Sequence, residues 1–106
     1  MAKKLKTIAV KELFDKLEQA DKVVTTILQK GENFKVLALA FREGMVFPKH
    51  QTKLAAKLIV LEGNVLYEEK NKAIELNQYD EYTIPVDVPH WVTARQPSLC
   101  IVIIGE

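Results

Sequence analysis

Two histidines, His50 and His90, are the residues of this chain best suited to chemistry. Each closely follows a proline, Pro48 or Pro89, in a strand-like segment, and the segments between them are typical of antiparallel strands. Such strands can bring both imidazoles into one cavity. An imidazole has an ordinary pKa of about 6.5 and can donate or accept hydrogen bonds, which suits a small polar or anionic ligand. Imidazole nitrogen is also a common ligand of transition metals.

The elements that must position these rings are mostly short strands. Apolar residues recur at helical spacing only near the N-terminus, where they predict one short amphipathic helix: Val10, Leu13, Phe14 and Leu17. The β-branched run 23–28 predicts a strand, followed by a turn at 30–33. Further strands are predicted over 34–41, 55–61, 65–68, 73–76, 81–84, 91–94 and 99–104. Many short strands with close turns indicate an all-β sandwich or barrel.

The connections between these strands are predicted from turn-forming residues. Residues 62–64 and 69–72 are rich in Gly, Asn and charged side chains, which predicts two hairpin turns. Phe47 and Pro48 are expected to shape a loop that delivers His50.

The spacing around both histidines resembles the two motifs of the cupin family. Gly44, His50 and Gly63 fit the first motif, whereas Thr52 stands where the family has a second histidine and Ala56 where it has a glutamate. In the second motif His90 and Pro85 match. Three further positions depart from that motif, with residues in place of two glycines and an asparagine: Tyr79, Asp87 and Ala94.

The resemblance covers roughly residues 34–104 and implies a small single-domain protein of the RmlC-like jelly-roll superfamily. The implied fold is all-β, a cupin-type double-stranded β-helix (jelly-roll barrel) with a short N-terminal α-helix. Residues 1–33 would form a lead-in of strand, short helix and strand that packs on the barrel, and residues 34–106 would form the barrel itself.

The metal-binding motif is degenerate, since two of the family's four usual ligands, His50 and His90, are present. Transition-metal sites usually have three or more nitrogen, sulfur or carboxylate ligands. Thr52 offers a neutral hydroxyl, and Asp87 is expected in a turn, where aspartate tolerates a positive φ. We therefore expect no tightly bound metal and no other cofactor. A divalent transition metal held by a distorted ligand set is the alternative.

The cupin motif also implies which side chains surround a ligand. If Ala56 points inward, the two-residue period of a strand sends Leu58 and Val60 inward as well, and His90 likewise carries Val92 and Ala94 inward. Such a cavity would be apolar with a few polar groups, the usual character of a small-molecule site. The predicted ligand pocket comprises His50, His90, Thr52, Ala56, Leu58, Val92 and Ala94.

Two strands are apolar on both faces, at 36–41 and 99–104, so neither face should be open to water. We predict a homodimer that packs through their outer faces. The alternative is that the helix and the N-terminal segment cover them.

Composition limits the remaining partners and the compartment. The 106 residues fit one domain, and 15 basic and 14 acidic side chains are interspersed, so no long-range field attracts nucleic acid or an anionic membrane. Lys11 and Glu12 cut the apolar run at 8–10, which excludes a signal peptide there and favours the cytoplasm. The single cysteine, Cys100, lies in an apolar strand and is expected in the core rather than as a nucleophile.

Three classes of function remain open at this point. The favoured one is a small-molecule-binding cupin, non-catalytic or sensory, because the ligand set is depleted while the cavity histidines remain. The second is a cupin enzyme of the metal-dependent dioxygenase or sugar isomerase/epimerase type, in which a histidine general base would need a carboxylate or tyrosine partner. The third is a non-catalytic dimeric scaffold.

Overall fold

The computed structural model describes residues 9–105, which form one short helix followed by nine strands. The helix α1 spans Ala9–Leu17. The strands are β1 (Val24–Lys30), β2 (Phe34–Phe41), β3 (Val46–His50), β4 (Ala56–Glu62), β5 (Asn64–Glu69), β6 (Lys72–Asn77), β7 (Glu81–Ile84), β8 (His90–Ala94) and β9 (Ser98–Gly105). The first strand predicted for the lead-in lies outside the described residues, as does Glu106.

The strands form two sheets in which every pairing is antiparallel. One sheet has five strands in the order β1-β2-β9-β4-β7, and the other has four in the order β3-β8-β5-β6. Their inner faces share one hydrophobic core, and its largest fully buried side chains include Tyr67, Phe41, Leu39 and Leu58. The predicted all-β class with a short helix is confirmed.

The helix α1 covers part of the outer face of the five-stranded sheet. Leu13 and Leu17 are buried, and the helix packs on β1 and β2. At the end of β2 next to the helix the outward residues are the small Ala38 and Ala40, both fully buried, so the helix can approach closely. The Arg42 guanidinium, just after β2, donates a hydrogen bond to the Leu17 carbonyl oxygen at the helix C-terminus, where a cation is favourable. Among residues 9–105, no helix is long and apolar enough to cross a membrane.

Strand β1 is a full member of the five-stranded sheet. It pairs with β2 along most of its length, with an irregularity between Ile27 and Gln29. The lead-in therefore contributes its second strand to the barrel wall.

The turn at 62–64 joins the two sheets, and the predicted hairpin at this position is wrong. Strand β4 belongs to the five-stranded sheet and β5 to the four-stranded one, so Gly63 is the corner at which the chain changes sheets. Its φ is +96°, and a Cβ atom there would lie 2.3 Å from the Ser98 Oγ and 2.4 Å from the Pro97 carbonyl oxygen. Only glycine fits this corner without strain. The other predicted turn, at 69–72, does join the paired strands β5 and β6.

Residues 46–50 form strand β3, where the sequence predicts a loop at Phe47 and Pro48. The strand lies at the edge of the four-stranded sheet, a position that tolerates a proline because one side needs no backbone donor. Its pairing with β8 is irregular between Phe47 and His50. The proline and the exposed Lys49 hide the strand pattern in the sequence.

Candidate functional site

His50 and His90 face each other on neighbouring strands. They are direct partners in the register of β3 and β8, and their ring centroids lie 4.3 Å apart. Phe47 packs edge-on against His50 at 4.8 Å, and Tyr67 stacks on His90 at 5.6 Å. His90 is buried and His50 is half-buried. The structure thus brings the two imidazoles together, as the sequence predicts.

Both rings are oriented by a backbone carbonyl two residues earlier in the chain. The His50 Nδ1 lies 2.8 Å from the Pro48 oxygen, and the His90 Nδ1 lies 3.0 Å from the Val88 oxygen. Because a carbonyl oxygen can only accept, each Nδ1 must carry the hydrogen. In a neutral ring the lone pair then resides on Nε2, which can accept a hydrogen bond, take up a proton or bind a metal.

The environment of His90 favours its neutral form. Burial lowers the pKa of His90 below its ordinary value, and the nearby His50 ring lowers it further. The hydrogen bond to Val88 and the negative charge of Glu69 act in the opposite direction, but they do not outweigh burial. At neutral pH, His90 is therefore an uncharged imidazole with an available Nε2.

The two histidines line a cavity of about 150 Å³ between the sheets. Within residues 9–105, every side chain that lines it other than the two histidines and Thr52 is apolar. The residues that line it come from both sheets and from the segment after β3: Leu37, Leu39, Phe47, His50, Thr52, Ala56, Leu58, Ile84, His90, Val92, Val102 and Ile104.

Of the seven residues predicted to surround a ligand, Ala94 does not line the cavity. The other six line the cavity: His50, His90, Thr52, Ala56, Leu58 and Val92. Ala94 is buried but sits four residues beyond His90, roughly 13 Å along the strand at ~3.3 Å per residue. There the Ala94 N–H donates to the Met45 carbonyl oxygen. Ala94 and the inward-facing Val60 are both buried, and neither lines the cavity.

Six cavity residues were missed by the sequence analysis. They lie on β2, β3, β7 and β9: Leu37, Leu39, Phe47, Ile84, Val102 and Ile104. The apolar runs of β2 and β9 gave no signal, because both parities are apolar and neither could be assigned to the inside.

Two residues that replace motif glycines adopt the conformation that glycine favours. Asp87 has φ 61°, as predicted, and Tyr79 has φ 71°. The Asp87 carboxylate lies 3.7 Å from the Lys53 Nζ at the surface, and Tyr79 is 75% exposed. Neither side chain lines the cavity.

The side chains at the cavity do not fit a transition-metal ion. The cupin motifs imply a four-ligand site, but of the described residues that line the cavity, His50 and His90 alone supply ligand atoms of the usual kind. The Thr52 hydroxyl donates to the Leu54 carbonyl oxygen at 2.9 Å, and Ala56 has no ligand atom. Within residues 9–105, no group of three or more His, Cys, Asp or Glu side chains could hold a metal.

A polar group beside His90 was also missed by the sequence analysis. Glu69 is the direct register partner of His90 on β5, and the Tyr67 hydroxyl donates to the Glu69 Oε2 at 2.7 Å. Lys72, on β6, is in turn the register partner of Glu69 on β5. Its Nζ donates a hydrogen bond to the Tyr82 hydroxyl at 3.2 Å. The sequence places Glu69 and Lys72 in a turn, and only the register of four strands, β3, β8, β5 and β6, brings them into line with the histidines.

Cys100 lies in the core, as predicted. It is fully buried, and burial raises the pKa of its thiol to about 12. The thiol is therefore protonated at neutral pH, which makes it a poor nucleophile.

Comparison with known proteins shows the fold. A cupin superfamily protein from Desulfitobacterium hafniense is 14% identical over 80% of this chain and 78% of its own, with a TM-score of 0.76. An RmlC-like cupin protein from Desulfovibrio desulfuricans is 24% identical over 79% and 82%, with a TM-score of 0.74. A cupin-2 domain containing protein from Shewanella frigidimarina is 17% identical over 97% and 98%, with a TM-score of 0.73. No protein-family model and no curated protein matches the sequence.

Proposed function

We propose that this chain, whose barrel has the fold of the RmlC-like cupin superfamily, binds a small molecule in the cavity beside His50 and His90. One observation carries the proposal: among the described residues, a cavity of about 150 Å³ has an apolar wall and three polar side chains, those of His50, Thr52 and His90. Small-molecule sites usually combine an apolar wall with a few polar groups that fix orientation. The role is that of a non-catalytic or sensory binder that needs no tightly bound metal, in the cytoplasm that the sequence favours.

The depleted chemistry of the site supports binding rather than catalysis. Two imidazoles can hold a ligand, but the positions that resemble the other two metal ligands, Thr52 and Ala56, cannot complete a metal site. Burial and the hydrogen bond to Glu69 raise the pKa of Tyr67 above its ordinary value, so this phenol is a poor acid at neutral pH.

A thermal-shift screen against small alcohols, phenols, acids, sugars and phosphates tests binding. A compound present at 100 times its dissociation constant stabilises the native state by about 2.7 kcal/mol. We expect at least one compound to raise the unfolding temperature of the wild type, and to lose this effect in His50→Ala and His90→Ala. Lys49→Ala, an exposed change on β3, serves as the control and should keep the effect. If no compound shifts wild type or control, the binding function is wrong.

A cupin enzyme is the second candidate, and the position of Glu69 favours it. A histidine general base would need a carboxylate or a tyrosine as its partner, and the Glu69 carboxylate is the register partner of His90. Every compound that binds would be followed by NMR for conversion or for solvent-deuterium incorporation, with and without added iron or manganese. Turnover by the wild type that disappears in His90→Ala would show that the protein is an enzyme and not a non-catalytic binder.

We propose further that two copies associate through the outer face of the five-stranded sheet. Val36 and Ile103 are register partners on that face, and Ile103 is 37% exposed while Val36 and Ile101 are only partly buried. The helix covers Ala38 and Ala40 but leaves this apolar area accessible within the described residues. If the cavity binds no ligand but the dimer forms, the third class of function, a non-catalytic dimeric scaffold, is the one that remains.

A further inference from the structure

The three polar side chains of the cavity all use their hydrogen-bond donors on the backbone. Nδ1–H of His50 and of His90 is directed at a carbonyl oxygen, and the Thr52 hydroxyl donates to the Leu54 oxygen. What remains for a ligand is acceptor capacity, on the Thr52 oxygen and on the Nε2 of the histidine rings in their neutral form. Of the described residues, those that line the cavity include no lysine or arginine.

His90 keeps this acceptor character at neutral pH. The residue is 2% exposed, and its Nδ1–H is held by the Val88 carbonyl oxygen, so Nε2 is the nitrogen left to accept a hydrogen bond. The titratable groups that face it act in opposite directions, His50 lowering the pKa of His90 and Glu69 raising it. Two charged imidazoles with centroids 4.3 Å apart would also repel each other.

The size and the wall of the cavity limit the rest of the ligand. An apolar cavity of about 150 Å³ accommodates a molecule the size of benzene. Leu39, Leu58 and Val102 on the five-stranded sheet oppose the histidines and offer only apolar contact. A molecule with several polar groups would leave most of them unpaired there, which is costly.

We propose that the cavity selects a compact, mostly apolar molecule with a single uncharged hydroxyl group, which donates its hydrogen bond to the Nε2 of His90. This inference rests on the proposed binding function and names its ligand class. A carboxylate is disfavoured because it would meet acceptors instead of donors. An ammonium group is disfavoured because its burial in an apolar wall costs more than neutral acceptors return.

Three ring compounds of similar size separate the possibilities: phenol, toluene and benzoate. At pH 8 phenol is neutral, toluene lacks the hydroxyl and benzoate is an anion. Titration of ¹⁵N-labelled protein should show that phenol binds roughly 2- to 10-fold more tightly than toluene, as expected for one hydrogen bond. Benzoate should bind more weakly than either.

The ring nitrogens supply a readout that needs no variant. Long-range ¹H–¹⁵N correlation spectra distinguish protonated from unprotonated imidazole nitrogens. We expect Nδ1–H and a bare Nε2 in His90 of the free protein, and a shift of the Nε2 signal on addition of phenol but not of toluene. A free protein with the hydrogen on Nε2 would overturn the inference.

The variant test uses His90→Leu, which replaces the imidazole by an apolar side chain of similar bulk and so removes the Nε2 acceptor. It should bind phenol and toluene about equally, while Thr93→Ala, on the same strand but the opposite face, should keep the preference for phenol. Toluene binding shows that His90→Leu is folded; if the variant fails to fold, the wild-type preference and the Nε2 shift decide.

The possible failures are distinguishable. Benzoate or toluene binding as tightly as phenol at pH 8 overturns the hydroxyl inference and leaves the binding function intact. If none of these three compounds binds and no compound of the wider screen binds either, the binding function itself is wrong.

Discussion

His90 lies between His50 and Glu69 as the middle residue of one cross-strand row, with His50 as its register partner on β3 and Glu69 on β5. Side chains directly opposite one another in a sheet project from the same face. The row therefore sets one buried imidazole between a second imidazole and a carboxylate. Burial lowers the pKa of this imidazole most, while His50 lowers it further and Glu69 raises it. The Val88 carbonyl oxygen, which holds Nδ1–H, leaves Nε2 as the nitrogen that His90 offers.

The titration of His90 should show the effect of this environment. Because burial lowers its pKa in the folded state, the unfolded chain binds more protons as the pH falls below about 6.5. The contribution of His90 to the free energy of unfolding is thus fully present above the unfolded pKa and is lost as the pH falls through the folded pKa. NMR titration should give a folded pKa below 6.5, and urea unfolding should show a smaller loss of stability on acidification in His90→Leu. A pKa of His90 above 6.5 in the folded protein would contradict the conclusion that burial lowers it.

Metal content of protein purified without chelators should be far below one ion per chain. Two nitrogen ligands and a hydroxyl engaged with Leu54 are too few to retain iron, manganese, nickel or zinc through purification. Elemental analysis checks this directly. Near-stoichiometric metal that disappears in the double variant His50→Ala, His90→Ala would refute the metal-free site and revive the dioxygenase reading.

Restoring the two missing ligands should create a metal site. Thr52 and Ala56 line the cavity with both histidines, so Thr52→His with Ala56→Glu would present three imidazoles and a carboxylate. Added nickel or zinc should then bind near stoichiometrically and raise the unfolding temperature, because metal binding stabilises the native state. The matched control, Thr52→Asn with Ala56→Gln, has similar bulk but lacks these ligand atoms and should not respond. Equal metal response in both variants would show that these positions do not converge with the histidines.

The corner between the sheets should tolerate no side chain. Gly63→Ala combines a positive φ with a Cβ placed 2.4 Å from the Pro97 carbonyl oxygen, and we expect it to lower the free energy of unfolding by about 2–4 kcal/mol. Gly44→Ala is the control, since its φ is similar at +88° but no atom lies within 4 Å of the added Cβ. Its cost should be about 1–2 kcal/mol, from the backbone conformation alone. Equal costs measured by urea unfolding would mean that the contact with Pro97 relaxes.

The mass in solution should be that of a dimer at micromolar concentration. A lysine at Ile103 would place a charge in the proposed apolar interface, so Ile103→Lys should sediment as a monomer. Asn71→Lys adds the same charge at the exposed turn between β5 and β6 and should remain dimeric. A monomeric wild type would instead favour coverage of this face from within one chain.

The sequence by itself determined the class of fold and most of the polar site. Turn residues at short intervals limit the chain to short strands, and the spacing around Gly44, His50, Gly63 and His90 resembles a known pair of motifs, so a β barrel and its two histidines could be predicted. The two-residue period then assigned Leu58 and Val92 to the inside, because it is a local property of any strand.

Only the tertiary structure decided which strands pair and how deep each side chain lies. The partnership of His90 with Glu69, the change of sheet at Gly63 and the position of Ala94 below the cavity all depend on register between segments distant in sequence. On β2 and β9 both faces are apolar, so local periodicity could not tell Leu37 and Val102, which line the cavity, from Ala38, which lies under the helix. Long-range contacts resolve that ambiguity, because burial depends on what packs against a residue and not on its own type.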